Sequence, residues 1–178
     1  MVILEDTRQQ ESKHRIKHEY FEKNGIEVRR TKLYVGDYTL PTNQSICVDS
    51  KFSILEICAD VCSKDHARFI REIERAKEIG VTLYVLVENK DGVKDFETLS
   101  KWINPRFLRW KKITSAHKNG KMLQVPISKI PPTNGGTLCK ALQTIETEHD
   151  NVKFLFCTPE ESGKRVIELL QGATHEEN

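Results

Sequence analysis

The sequence has no apolar run of membrane length. Its longest, residues 81–87 with Thr82 inside it, has about a third of the length a bilayer-spanning helix needs. No apolar leader precedes Glu5 and Asp6, so a secretory signal is not expected and a cytoplasmic location is. Cysteines are few and odd in number. Cys47, Cys58, Cys62, Cys139 and Cys157 sit in apolar or strand-like surroundings, which excludes a disulfide framework and leaves them as reduced core residues. Cys58 and Cys62 share a helix face, but no second Cys or His pair stands at zinc-finger spacing. His14 and His18 are four apart on an expected helix without a third ligand or an H-E-x-x-H pattern, and read as a solvated face. Ser162-Gly163-Lys164 lacks the glycine-rich loop of a P-loop, and internal repeats are absent.

Acidic residues are missing from one long stretch: there is no Asp or Glu from Thr98 to Ile145. Lys101, Arg106, Arg109, Lys111, Lys112, Lys118, Lys121, Lys129 and Lys140 give it nine positive charges. Of 28 basic residues, 19 then remain elsewhere against 26 acidic ones, a net of −7 hidden beneath an overall +2. An acidic body with one basic segment suits a metal-dependent enzyme acting on a polyanion, because carboxylates hold cations while a separate surface holds phosphates. Two readings of the segment are open. Trp102, Phe107 and Trp110 stack on unpaired bases, or they anchor a solvated loop to the core. The nucleic-acid-binding candidates are Lys101, Trp102, Arg106, Arg109, Trp110, Lys111, Lys112, Lys118 and Lys121.

At 178 residues, 38% hydrophobic and 30% charged, the chain fits one domain that buries about 70% of its unfolded surface. Residues 1–4 read as a strand whose polar end, Glu5-Asp6, opens into a site. Residues 10–24 read as a helix with Ile16, Tyr20 and Phe21 on one face and Gly25 past its end. Strand candidates follow at 27–33, 38–40 and 46–51, around a Gly36-Asp37 corner and a turn at 41–45. Ser53 and Glu56 have capping-box spacing and open a helical region that breaks near Ser63 and ends before Gly80. Residues 81–87 are a β-branched run of buried-strand type, and 95–101 are expected to be helical. Asn104-Pro105, Asn119-Gly120, Pro126, Pro131-Pro132 and Asn134-Gly135-Gly136 then interrupt any periodicity. A helix at 137–148, a strand at 152–157 and a helix opened by Thr158-Pro159-Glu160-Glu161 follow. The expectation is an α/β sheet covered on both faces. Its parts are a core at 1–97, a basic, flexible segment at 98–135, a helix-strand-helix at 136–172 completing the same domain, and a frayed tail at 173–178.

In the strand at 46–51 the period of two puts Cys47, Asp49 and Lys51 on one face. A hairpin through residues 38–51 returns Asp49 toward Asp37. Two carboxylates and a lysine at a strand end make a workable site for phosphodiester hydrolysis with Mg²⁺ or Mn²⁺ on hard oxygen ligands. The alternative is a turn aspartate beside a surface ion pair.

Glu5-Asp6-Thr7-Arg8, Gly36-Asp37-Tyr38 and Val48-Asp49-Ser50-Lys51 together resemble the ERCC4 nuclease domain of XPF-type structure-specific endonucleases. That domain is a branch of the restriction-endonuclease-like PD-(D/E)XK superfamily, with a mixed central sheet and helices on both faces. Arg68-Phe69 through Arg75-Ala76 and Leu83 to Glu88 continue the likeness, which runs from Val2 to Asn89. The resemblance implies Asp37, Asp49 and Asp6 as the metal set and Lys51 as the catalytic lysine. Arg8 and Arg68 would hold substrate phosphate or brace the carboxylates. Three departures stand out: Ser50 replaces the arginine of the family's E-R-K, Gln9 replaces the Glu of its D-x-R-E, and the acid after the lysine has only Glu56 as a displaced counterpart. Nothing after Asn89 resembles the family's paired helix-hairpin-helix domain, so a stand-alone bacterial or phage-like member, possible as a homodimer, is expected.

The implied function is a Mg²⁺- or Mn²⁺-dependent DNA endonuclease of repair or recombination, acting on branched, flapped or single-strand-containing DNA. A non-catalytic nucleic-acid-binding or scaffold module of the same fold remains the alternative. A phosphate-chemistry enzyme on small substrates would leave the acid-free segment without a purpose.

Overall fold

The computed structural model describes residues 1–9, 14–118 (side chains through 114) and 130–172. Its strands are β1 (Val2–Asp6), β2 (Glu27–Thr31), β3 (Tyr38–Leu40), β4 (Asn43–Lys51), β5 (Thr82–Glu88) and β6 (Val152–Cys157). Among the described residues these six form one sheet in the order β2-β1-β3-β4-β5-β6. β1 is parallel to β2 and antiparallel to β3, β3 turns back against β4, and β4, β5 and β6 run parallel. The mixed α/β fold expected from the sequence is therefore present.

One face carries α2 (Ile54–Cys62), α3 (His66–Glu78), α4 (Phe96–Ser100) and α6 (Gly135–Glu148) around Ile57, Phe69, Ile73, Val85, Leu99 and Leu138. The other carries α1 (Arg15–Lys23) and α7 (Pro159–Leu170) around Ile3, Phe21, Tyr38, Val48, Leu86 and Val166. Helix starts follow local chemistry. Ser53 Oγ accepts the Glu56 N–H while Glu56 Oε2 accepts the Phe52 N–H, so Glu56 caps α2 and is spent there. Thr158 and Glu161 form the equivalent box at α7.

Two expectations change, and one discounted motif finds its use. The histidines at the start of α1 are not a solvated face: His14, its N-cap, is 5% exposed, and Lys17 beside it is 1% exposed, while Arg15 and Glu19 stay in solvent. Strand alternation points Glu5 and Glu88 to this face, where Lys17 pairs with Glu88 and His18 Nε2 lies 2.7 Å from Glu5 Oε1. Glu88 is thus on the face opposite Asp49. Second, Gly163 serves packing: a Cβ there would lie 2.7 Å from Tyr20 Cβ, so it lets α7 approach α1. Third, residues 106–118 of the segment expected to be flexible form a helix, α5 (Arg106–Lys118). Residues 10–13, 119–129 and 173–178 of the expected first helix, basic segment and tail lie outside the described residues.

Candidate active site

Asp37 precedes β3, and Tyr38 at the start of that strand pairs with Val48 of β4, so the hairpin delivers Asp37 to the strand end bearing Asp49. Gly36 makes the corner with a φ of +68°, and a Cβ there would meet Cys47 Cβ at 3.1 Å and Val48 O at 3.2 Å. Asp37 N donates to Val48 O and Asp6 N donates to Asp37 O, both at 2.8 Å, knitting β1, the corner and β4 together. Ser50 N and Oγ donate to Asp37 Oδ2 at 2.8 and 3.2 Å, and the Gln9 side chain hydrogen-bonds to the same carboxyl. Two of the three departures from the family pattern, Gln9 and Ser50, therefore converge on Asp37.

Burial and then the charge of Asp49 push the Asp37 carboxyl up to about 8. Asp49 and Lys51 share a strand face, and Lys51 Nζ lies 2.8 Å from Asp49 Oδ2 and 3.0 Å from Asp60 Oδ2. Burial works against the ammonium, but Asp49 and Asp60 outweigh it and hold Lys51 above the ordinary lysine range. Asp60, 6% exposed on α2, also takes Arg68 NH2 at 3.0 Å on its other oxygen. Glu72 of α3, half-buried, accepts the Gly36 N–H at 3.4 Å; burial and then the Asp49 charge push its carboxyl upward.

Asp60 and Glu72 were not among the expected site residues. The readable signal for Asp60 was a carboxylate among Ile57, Cys58 and Val61 on an otherwise apolar helix face.

Asp6, expected in the metal set, is fully engaged. Its Oδ1 accepts from Arg8 N and Nε at 2.7 and 2.8 Å, and its Oδ2 from Arg8 NH2 and Leu33 N at 2.8 and 2.9 Å. Burial alone would raise its carboxyl, but these bonds hold it below the usual range. Arg8 is thereby fixed at the base while 62% of its side chain stays exposed, and Arg68 is likewise 65% exposed. Asp37, Asp49, the charged Lys51 and two tethered guanidinium groups thus gather at one end of the sheet, and carboxylates and guanidiniums are the groups that hard cations and phosphates engage.

The sequence pattern of the ERCC4 domain matches residues 6–170, most of the chain. The chain belongs to the ERCC4 domain family. XPF from Aeropyrum pernix, solved in complex with DNA, shares the fold at a TM-score of 0.60 and 15% identity, over 97% of this chain and 64% of that one. A second structure of XPF from Aeropyrum pernix gives 0.58 and 15%, over 97% and 66%. This ERCC4 domain thus spans under two thirds of the first of those chains. No curated protein matches its sequence. The family match also extends well past Asn89, where the motif resemblance stops.

Beyond the carboxylates, the ERCC4 domain exposes Arg106, Arg109, Lys111 and Lys112 on α5. Lys101 is exposed and paired with Glu97 at 2.6 Å. Trp102 corrects an expectation: it is 7% exposed and its indole N–H donates to Asp91 Oδ2 at 3.0 Å, so it anchors the chain instead of offering a stacking face. Trp110 is half-buried and stacks on Phe107 with ring centroids 5.7 Å apart. The Lys118 side chain, and Lys121 and Lys129 entirely, lie outside the described residues. No helix among the described residues is long and apolar enough to cross a membrane.

Proposed function

We propose that the chain is a Mg²⁺- or Mn²⁺-dependent endonuclease of DNA repair or recombination. It would hydrolyse phosphodiester bonds in branched, flapped or single-strand-containing DNA. The observation that carries this reading is the Asp37–Asp49 pair, pressed together beside the Lys51 ammonium in an ERCC4 domain. Asp37 and Asp49 would hold the cation. Mg²⁺ ordinarily uses one or two carboxylates and completes its shell with water and substrate phosphate. That suits a site where, among the described residues, no three His, Cys, Asp or Glu side chains converge as a metal cage. When bound, such a cation acidifies a coordinated water and offsets charge on the phosphorane.

The chain's own residues do the rest. Lys51, kept charged by Asp49 and Asp60, stabilises negative charge developing at the phosphate. Arg8 and Arg68, tethered by Asp6 and Asp60, hold flanking phosphates. Asp6 acts as the brace of Arg8, with the metal left to Asp37 and Asp49. The exposed α5 cations bind the DNA backbone further out, and the neighbouring XPF fold was itself solved with DNA. Because those cations do not depend on Asp49, a non-catalytic DNA-binding module is the second reading.

The test is cleavage of labelled single-strand, duplex, flap, fork and four-way-junction DNA in Mg²⁺, Mn²⁺ or EDTA, with Asp49→Asn as the control. Metal-dependent cutting that disappears in the variant is expected. Binding without cutting, unchanged in Asp49→Asn, would favour the second reading.

A further inference from the structure

Below the root of α5 lies a feature the nuclease chemistry does not use. A cleft of about 360 Å³ is lined by α2, the start of α5 and residues 130–133. Cys58 and Cys62, one turn apart on α2, line it together with Thr133. Thr133 belongs to the connections that seat α5. Asn104 Nδ2 donates to Thr133 O at 2.8 Å, and Asn104 Oδ1 accepts the Arg106 N–H at 3.0 Å, joining both flanks of the basic helix beside the two sulfurs.

We propose that Cys58 and Cys62 form a peroxide-oxidisable dithiol whose closure to a disulfide releases the root of α5. The Cys58 thiolate attacks the peroxide O–O bond, giving a sulfenic acid and hydroxide. The Cys62 sulfur then attacks the Cys58 sulfur, forming the S–S bond and releasing the sulfenic oxygen as water with the Cys62 proton. Two thiols are oxidised and one peroxide is reduced to two waters.

Three features favour this. The Cys62 hydrogen bond, followed by Thr133 and the charge of Arg106, brings the Cys58 thiol down to about 7 against the opposing effect of burial. The Cys58 sulfur and then burial raise Cys62, which therefore keeps its proton until it attacks, and burial raises Cys47, Cys139 and Cys157, the last to about 12. Finally, Cys62 is the last residue of α2, with Ser63 already extended. Helical residues four apart hold their Cβ atoms about 5–6 Å apart, whereas a disulfide needs about 3.8 Å. Closure therefore draws in the last turn of α2 and reshapes the cleft that both sulfurs share with Asn104, Arg106 and Thr133.

The test treats the reduced full-length chain with hydrogen peroxide, blocks free thiols, and digests with trypsin. Residues 52–64 carry both cysteines on one peptide. The expected product is that peptide two hydrogens lighter and refractory to alkylation, before Cys47, Cys139 or Cys157 react. In Cys62→Ala, oxidation should stop at a dimedone-reactive sulfenic acid on Cys58. Amide exchange across 102–114 and 130–138 should quicken on oxidation in the wild type and stay unchanged in Cys58→Ser. Equal reactivity of all five cysteines would overturn the proposal, as would a closed disulfide with unaltered exchange at the α5 root.

Discussion

Asp60 grips Lys51 and Arg68 with its two oxygens, so one carboxylate orders two basic groups. Asp60→Asn keeps the shape and loses the charge. Cleavage is expected to fall on the order of a hundredfold as Lys51 loses its bearing. DNA affinity measured without divalent metal should hold or rise, because a negative charge has gone. Cleavage within a factor of two of wild type would show that Lys51 is positioned by Asp49 alone. At the corner, Gly36→Ala meets a left-handed backbone and a crowded Cβ position, and should cost about 1–2 kcal/mol by denaturant melting. Asp37, Asp49 and Lys51 were legible because a hairpin and strand alternation bring them together locally. Asp60 and Glu72 were not, because α2 and α3 deliver them by tertiary packing that no local spacing encodes.

α5 was illegible for a different reason. Phe107, Leu108, Trp110 and Ile113 are spread around the helix, so no apolar stripe betrays it, and turn-forming residues flank it on both sides. α1 misled in the opposite sense: His14 and His18 look solvated until the fold buries the first and the end of β1 brings Glu5 to the second. The exposed cations of α5 invite a direct check. Reversing Arg106, Arg109, Lys111 and Lys112 to Glu should weaken DNA binding strongly and reduce the salt slope of log K by about 0.9 for each phosphate no longer neutralised. The melting temperature should move little. Unchanged affinity would remove DNA from this helix. Where α7 packs on α1, Gly163→Ala forces a methyl against Tyr20 and should cost about 1–3 kcal/mol, read from the unfolding midpoint.

For the whole molecule, the burial of Asp37, and then the Asp49 charge beside it, set how stability responds to pH. Asp37 has an ordinary value of 3.8 and is raised to about 8 in the fold, so its contribution is full below 3.8 and lost as pH rises through about 8. Asp6 works the other way: its carboxyl is lowered, so its contribution is present above 3.8 and fades as pH falls further. In EDTA the melting temperature should therefore peak in mild acid and decline toward pH 8. Mn²⁺ should restore it there, and Asp49→Asn should flatten the decline. A melting temperature that climbs steadily between these limits would mean that Asp37 is not held up by burial and by Asp49. The docking of α7 on α1 also bears on how the chain is made. A ribosome emits α1 long before residues 159–170, yet those late residues cover the sheet face beneath which Ile3, Phe21 and Tyr38 are buried. Residues 1–51 must therefore wait, without that cover, until α7 has been made. The Gly36-Asp37 corner is thus completed only after α7 docks, and a nascent fragment ending before residue 159 carries Asp37 and Asp49 without the scaffold that aligns them.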